Sequence, residues 1–309
     1  MNPALKRLAK YAIYFSPAPL RRYLHRKADA KRIEEALARA RRCKVSRDEV
    51  AAALDNIDFG HDIMLHTSLM NIGKVAGGPK TVLTEIMERF DSDSHTLVAS
   101  ALPYLGSFSE YLATDPVFDV RSAPIAMGAV NERLAAMPGI YRSLHPTHSV
   151  VALGRDAAAL TEDHELDRTP FGIHSPYRKL IDRGAHALLF GATVNNMTFI
   201  HAVEDALGDS LPQKVYGKRF EARCIDADDQ ALTVSTPVHA PLLSIRRDLS
   251  FFEPDGLEHG YIRRFPLGEG FVYDVDMKAL ARRYVELLHE GRSIYGRCRR
   301  MDASVASPF

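Results

Sequence analysis

The chain has 309 residues, 46% of them hydrophobic, and a formal net charge of +1. That is apolar material for one large domain or two modest ones, and no uninterrupted apolar run is long enough to cross a bilayer as a helix. Three widely separated cysteines, Cys43, Cys224 and Cys298, exclude a disulfide framework and a cysteine-based metal site and fit a reducing, cytoplasmic setting.

Residues 4–15 and about 20–42 read as helices, broken at Ser16-Pro17-Ala18-Pro19 because proline ends helices. Residues 1–50 hold 14 Lys and Arg against 5 Asp and Glu, and the other 259 residues hold 26 against 34. A basic helical arm is therefore expected to precede an acidic body and to pack on it. Its amphipathic character also permits peripheral contact with an anionic membrane surface. Nucleic acid is disfavoured, since no aromatic stacking platform or recognised binding motif accompanies the charge. Charges every few residues and the lack of a small-residue cleavage site argue against a secretory signal. Ser46 and Glu49 form an S-x-x-E capping box ahead of EVAAAL, which places the boundary between an arm of residues 1–45 and a body of residues 46–309.

Short apolar runs then alternate with helical patterns. IMLHTSL reads as a strand, GGPKTVLTEIMERF as a turn and a helix with Pro79 in its first turn, and HTLVASAL as a second strand. NERLAAM is a short helix, HSVVALG a strand, and SPYRKLIDRG a helix closed by Gly184. AHALLFGA is apolar enough for a strand buried on both faces. NNMTFIHAVEDALG reads as a helix capped by Asn195 or Asn196, residues 214–239 as two strands, and MKALARRYVELLHEG as a late amphipathic helix. The tail after Arg300 is expected to fray. The alternation predicts a three-layer α/β/α sandwich around a mixed central sheet.

Ligands of open α/β sheets bind beyond the carboxyl ends of strands, and three segments bring polar residues there. LHTSL-MNIGKVAGGP carries Thr67 and Ser68, with Gly77 and Gly78 before a helix start where backbone N–H groups hold phosphate. Neither G-x-G-x-x-G nor G-x-x-x-x-G-K-[ST] is present there. RSLHPTHS carries His145 and His148; either is a candidate general base, and without H-E-x-x-H no metal site is expected. LLFGATVNNMTFIHAVED sets His201 and Glu204 three residues apart, with Asp205 beside them, the spacing at which a carboxylate orients an imidazole or forms an ordinary surface pair. The absence of G-x-S-x-G disfavours a serine hydrolase.

In order, HTSLMNIGKVAGGPKTVL, AMGAVNERLAAMPGIYRSLHPTHSVVALG and HELDRTPFGIHSPYRKLIDRGAHALLFGATVNNMTFIHAVEDAL resemble the aminoglycoside 3-N-acetyltransferase family. The pattern comprises an H-[ST]-S-L strand end, G-G-P, M-G-x-x-x-E, R-S-x-H-P, G-x-G-S-P and T-x-x-H-x-x-E. The resemblance is good over residues 46–210. It implies acetyl-CoA as co-substrate, His145 as the base, Glu204 as the carboxylate that pairs with it, and His201 and Thr198 beside that carboxylate. It further implies Thr67, Ser68 and Leu69 against the pantetheine arm, Gly77, Gly78 and Ser175 near the coenzyme, and Glu132 as the acid of M-G-x-x-x-E; His148 is the alternative base. Two departures stand out: His174 replaces the second glycine of G-x-G-S-P, and SAPIA precedes Met127. T-P-F-G and I-H-x-V-E-D are more similar to relatives associated with polysaccharide biosynthesis than to antibiotic-resistance enzymes.

The implied reaction is direct attack of an amine on acetyl-CoA in a ternary complex, with a histidine base. The acceptor is an aminoglycoside or an amino sugar, the latter free or linked to a nucleotide or lipid; an inactive CoA-binding homologue is the contrasting possibility. Expected partners are acetyl-CoA and a small-molecule amine, with a homodimer open.

Overall fold

The computed structural model describes residues 3–309, with side chains from residue 8 onward except those of Ala18 and Arg22. The amino-terminal region forms α1 (Pro3–Tyr14), α2 (Ala18–Arg42), β1 (Lys44–Val45) and α3 (Arg47–Leu54). Next come β2 (Ile63–Thr67), β3 (Lys74–Val75), α4 (Gly78–Met87), β4 (Thr96–Ser100), α5 (Phe108–Leu112), β5 (Val117–Asp119) and α6 (Ala129–Ala135). The middle of the chain supplies β6 (Tyr141–Arg142), β7 (Val150–Gly154), α7 (Ala157–Thr161), α8 (Pro176–Asp182), β8 (His186–Phe190) and α9 (Ile200–Leu207). A long hairpin, β9 (Tyr216–Ile225) and β10 (Ala231–His239), leads to α10 (Pro241–Arg246) and α11 (Phe252–His259). The chain ends with β11 (Ile262–Leu267), β12 (Gly270–Asp276), α12 (Met277–His289) and a small hairpin, β13 (Arg292–Ser293) and β14 (Gly296–Arg297).

Seven strands build the central sheet in the order β11-β12-β8-β2-β4-β7-β6. The pairs β2–β4 and β2–β8 are parallel, and the remaining pairs are antiparallel, so the sheet is mixed. Alternate residues of a strand face opposite sides, and β2 shows the consequence. Met64 joins the core formed by α8, α9 and α12, whereas Ile63 and Leu65 join the core formed by α3, α4 and α6. Burial on both faces accounts for the unbroken apolar runs of β2, β4 and β8 and gives the three layers expected from the sequence. The β9–β10 hairpin pairs with β5 in a separate three-stranded sheet.

The capping box forms as read: Ser46 Oγ accepts the Glu49 N–H at 3.1 Å, and Glu49 accepts the Ser46 N–H at 2.7 Å. Acids of the body hold the arm: Arg21 pairs with Glu110 at 2.8 Å, and Arg39 and Arg42 both reach Glu269. Among the described residues no helix is long and apolar enough to cross a membrane. The expected fraying of the tail is corrected. Met301 is buried, Val305 and Phe309 pack on the larger core, and Arg178 sits 4.6 Å from the centroid of the Phe309 ring. These apolar residues stand too far apart to show periodicity; Phe309 lies against Arg178 of α8, and the Met301 and Val305 carbonyls face His289 at the end of α12.

Candidate active site

The Gly191–Phe199 segment leaves β8 and decides where α9 begins. A single 3-10 turn, Val194–Asn196, is closed by reciprocal bonds between Thr193 and Asn196, and Met197 is extended with ψ 91°. The helix therefore starts at Ile200, later than the asparagine cap expected from the sequence. On α9 the three-residue spacing sets His201 and Glu204 on one face, and both are buried.

His201 Nδ1 lies 2.7 Å from Glu204 Oε2, which also accepts the Tyr295 hydroxyl at 3.1 Å; Tyr284 donates to Oε1 at 3.1 Å. Burial raises the Glu204 carboxyl to about 7, against the pull of the two phenols and nearby cationic groups. Burial holds His201 well below the usual imidazole range, and the Arg247 charge adds to it. Arg247 Nε donates to His201 Nε2 at 3.1 Å, while its other nitrogens donate to Asn195 O at 2.7 Å and Met197 O at 3.0 Å. A guanidinium can only donate, so Nε2 is the acceptor and the His201 proton sits on Nδ1, toward Glu204.

The expected His145–Glu204 pair does not form. The His145 ring folds back over its own turn, where Nδ1 accepts the Thr147 N–H at 3.3 Å and the His148 N–H at 3.0 Å. Two amides on Nδ1 place the ring proton on Nε2, facing Thr236 Oγ1 at 3.4 Å, so no lone pair is left to act as a base. The ring is fully buried and stacks on His164 with centroids 4.6 Å apart. His148 bonds Thr147 Oγ1 through Nδ1 at 2.8 Å and packs between Phe108 and Phe171. Two further imidazoles, His66 and His239, bury an Nε2 that has no partner among the described residues. His239 lies 4.3 Å, ring to ring, from His201, and burial depresses it to about 3; His66 falls to about 4.

The strand end of β2 carries Thr67, whose hydroxyl donates to Asn131 at 3.1 Å, and Ser68, whose hydroxyl accepts from Asn71. Leu69 follows, half-buried, in a one-turn 3-10 helix. Gly77 and Gly78 have positive φ at the start of α4, and a Cβ on Gly78 would meet nothing within 4 Å, so open space borders the turn there. Ser175 is fully buried and caps α8 by accepting the Arg178 N–H. Thr198 is half-buried, and its carbonyl accepts the His201 N–H. Glu132 points away from this region: it is exposed on α6, and its neighbour Asn131 is the inward residue, bonded to Thr67 and to Ser100 O. Asn131, Arg247, Tyr284 and Tyr295 are absent from the sequence-based site. Only Asn131 left a trace, in the apolar spacing of α6 that turns its neighbour Val130 inward.

His201, Glu204 and His239 bring ligand-type atoms within 4.8 Å of one another, a spacing open to a metal ion. Nδ1 carries the proton shared with Glu204, and Arg247 Nε donates to Nε2, so a cation at this spacing would stand beside the Arg247 charge for as long as that bond is kept. The acidic run Asp226, Asp228 and Asp229 forms the tip of the β9–β10 hairpin, where Asp226 accepts local amides and Asp229 pairs with Arg121.

Residues 64–289 match the family profile described as aminoglycoside 3-N-acetyltransferase. The chain is 35% identical over 193 residues to aminoglycoside N(3)-acetyltransferase VII of Streptomyces paromomycinus, covering 58% of this chain and 63% of that relative, just under two thirds of its length. It is 32% identical over 219 residues to aminoglycoside N(3)-acetyltransferase IX of Micromonospora chalcea, covering 62% and 76%. Among solved structures, AAC-IIIb in a binary complex with CoASH superposes with a TM-score of 0.61 at 25% identity, over 77% of this chain and 94% of that one.

Proposed function

This chain belongs to the aminoglycoside 3-N-acetyltransferase family, and on that premise we propose an acetyl-CoA-dependent N-acetyltransferase acting on an amino group of an aminoglycoside or amino sugar. The observation that carries the chemistry is the buried dyad, with His201 Nδ1 at 2.7 Å from Glu204. A carboxylate behind an imidazole fixes its tautomer and stabilises the imidazolium formed when the ring takes a proton. His201 replaces His145 as the base in this reading, because its Nε2 is an acceptor and the Nε2 of His145 is not.

The acceptor amine, deprotonated by His201 Nε2, attacks the thioester carbonyl; a C–N bond forms, the C–S bond breaks, and the proton leaves with the CoA thiolate as free thiol. Arg247 yields its bond to Nε2 as the acceptor enters. The residues at the β2 strand end and at the start of α4 suit the coenzyme in this reading: Gly77 and Gly78 form the turn at a helix N-terminus, with Thr67, Ser68 and Leu69 on the preceding strand end. Ser175 and Thr198 serve by shaping the two turns that flank α8 and α9.

Residues 46–309 form the catalytic body in this reading, and residues 1–45 are an addition to it, suited by their basic charge to an acidic surface of a partner or membrane. T-P-F-G and I-H-x-V-E-D favour a biosynthetic amino sugar over an antibiotic as acceptor. The test is release of free thiol from acetyl-CoA with a panel of aminoglycosides and amino sugars, wild type against His201→Ala and His145→Ala. Loss of turnover in His201→Ala under single-turnover conditions supports the dyad. Turnover unaffected by His201→Ala, or none with any acceptor, refutes the reading.

A further inference from the structure

Residues 1–28 hold seven Lys and Arg and no Asp or Glu; the first acid of the chain is Asp29. Within this stretch α1 lies against α10 and α2, and Tyr11, Ile13 and Tyr14 are half-buried there. Leu8, Ala12 and Phe15, spaced i, i+4 and i+7, make one stripe along the same helix. Nothing covers that stripe: Leu8 is 63% and Phe15 70% exposed, and Ala12 is exposed as well. Past the break at Ser16–Pro19, α2 also exposes Leu20 and Tyr23, by 46% and 59%. Four large apolar side chains therefore face water between residues 8 and 23, in the most basic part of the chain.

The arm is held by its other side. Arg21 pairs with Glu110 of α5 at 2.8 Å and donates to Tyr14 O at 3.2 Å, and Ser16 Oγ donates to Ala12 O at 2.7 Å, which fixes the corner between α1 and α2. Arg21, Lys31, Arg32, Arg39 and Arg42 each face an acid. Lys10, Arg26 and Lys27 are exposed and form no ion pair with a described residue. Unneutralised cations and uncovered apolar side chains thus share one short segment. A bilayer interface satisfies both at once, because the acyl boundary takes the apolar stripe and anionic headgroups take the cations. A second copy of the chain fits less well, since it would bring together two segments of seven cations and no acid.

We infer that the α1–α2 corner seats the protein on an anionic bilayer surface, with Leu8 and Phe15 at the acyl boundary and Lys10, Arg26 and Lys27 among the headgroups. Long basic side chains reach headgroup depth from the flanks of such a helix. The contact is peripheral and reversible, because one short apolar stripe supplies little buried area. The corner lies outside residues 64–289, the part that matches the family profile. The inference is therefore independent of the acetyl-transfer reading and compatible with any acceptor, an aminoglycoside included.

The full-length protein is sedimented with vesicles of phosphatidylcholine, alone or with about 30% phosphatidylserine, at about 0.1 M salt. Binding is expected on the anionic vesicles only. Leu8→Ser/Phe15→Ser and Lys10→Gln/Arg26→Gln/Lys27→Gln should each weaken it by about tenfold or more. All five side chains are exposed, so both variants are expected to fold, which thermal unfolding checks. The chain has no tryptophan, so Phe15→Trp places a single indole in the stripe. Its emission should shift to the blue on anionic vesicles and be quenched by brominated acyl chains. Absence of binding to anionic vesicles, or an unshifted emission from bound Phe15→Trp, overturns the inference. Loss of binding in the charge variant with none in the apolar variant means adsorption by charge alone and overturns the seating of the stripe. A dimer in sedimentation equilibrium that dissolves in Leu8→Ser/Phe15→Ser, without vesicle binding by wild type, gives the stripe to a second copy and overturns the bilayer. Vesicle binding without acetyl transfer to any amine leaves the inference standing and refutes only the enzymatic reading.

Discussion

Replacing Glu204 with glutamine removes one charge and almost no volume. In wild type Oε2 accepts from both His201 and Tyr295, and Oε1 accepts from Tyr284. The amide oxygen can keep the first two donors. The amide nitrogen then faces the Tyr284 hydroxyl, whose oxygen can accept in turn. Geometry is preserved, and the support a carboxylate gives an imidazolium is lost. A hydrogen bond to a charged group is worth about 1.5–3 kcal/mol, and at about 1.4 kcal/mol per decade the expected fall in kcat is about 10- to 150-fold with KM little changed. The assay is steady-state thiol release, with thermal unfolding to confirm an intact fold. A folded variant with kcat within about threefold of wild type, less than 1 kcal/mol on the same scale, would refute the dyad.

Arg247→Ala leaves Asn195 O and Met197 O without their donors; stability should fall by about 1–3 kcal/mol, and removal of the charge should move the His201 titration upward when followed by NMR. Six buried histidines, His66, His145, His148, His164, His201 and His239, are all held below 6.5, whereas Glu204 and Asp205 are each raised to about 7 by burial. For a group with a depressed folded pKa the unfolded chain binds more protons below the unfolded value, so the histidines stabilise the fold above about 6.5 and cost stability as pH falls. The two carboxyls act in the opposite direction and lose their contribution as pH rises through about 7. The six histidines outnumber the two carboxyls, so unfolding takes up protons as pH falls below about 6.5, and urea midpoints should drop from pH 7 to pH 5; a flat profile would contradict the buried neutral cluster. In Gly172→Ala the new Cβ would stand 2.5 Å from Asp167 Oδ1, an overpacking that should cost about 1–3 kcal/mol in denaturant titrations.

The layers of the fold were legible because the signals behind them are local. Continuous apolar runs at β2, β4 and β8 meant burial on both faces, and the Ser46–Glu49 box marked the helix start where it occurs. The start of α9 was misplaced because Met197 turns extended after one 3-10 turn, a choice made by packing beneath Arg247 and not by propensity. In the candidate site the His201–Glu204 spacing was readable from helix geometry, whereas the choice between His201 and His145 as the partner of Glu204 was not. That choice depends on the Thr147 and His148 amides closing on the His145 ring, and on Arg247, Tyr284 and Tyr295 arriving from the last quarter of the chain. Such convergence leaves no periodic trace in a sequence.

The two phenols on Glu204 also set an order of events during synthesis. A growing polypeptide that has emerged only through α9 owns the histidine and the acid but neither Tyr284 nor Tyr295, and an acid without donors in an apolar layer favours its protonated form. The dyad is completed only when α12 and the final hairpin close over it, so shortening the chain before residue 295 should disable the centre while leaving most of the sheet in place.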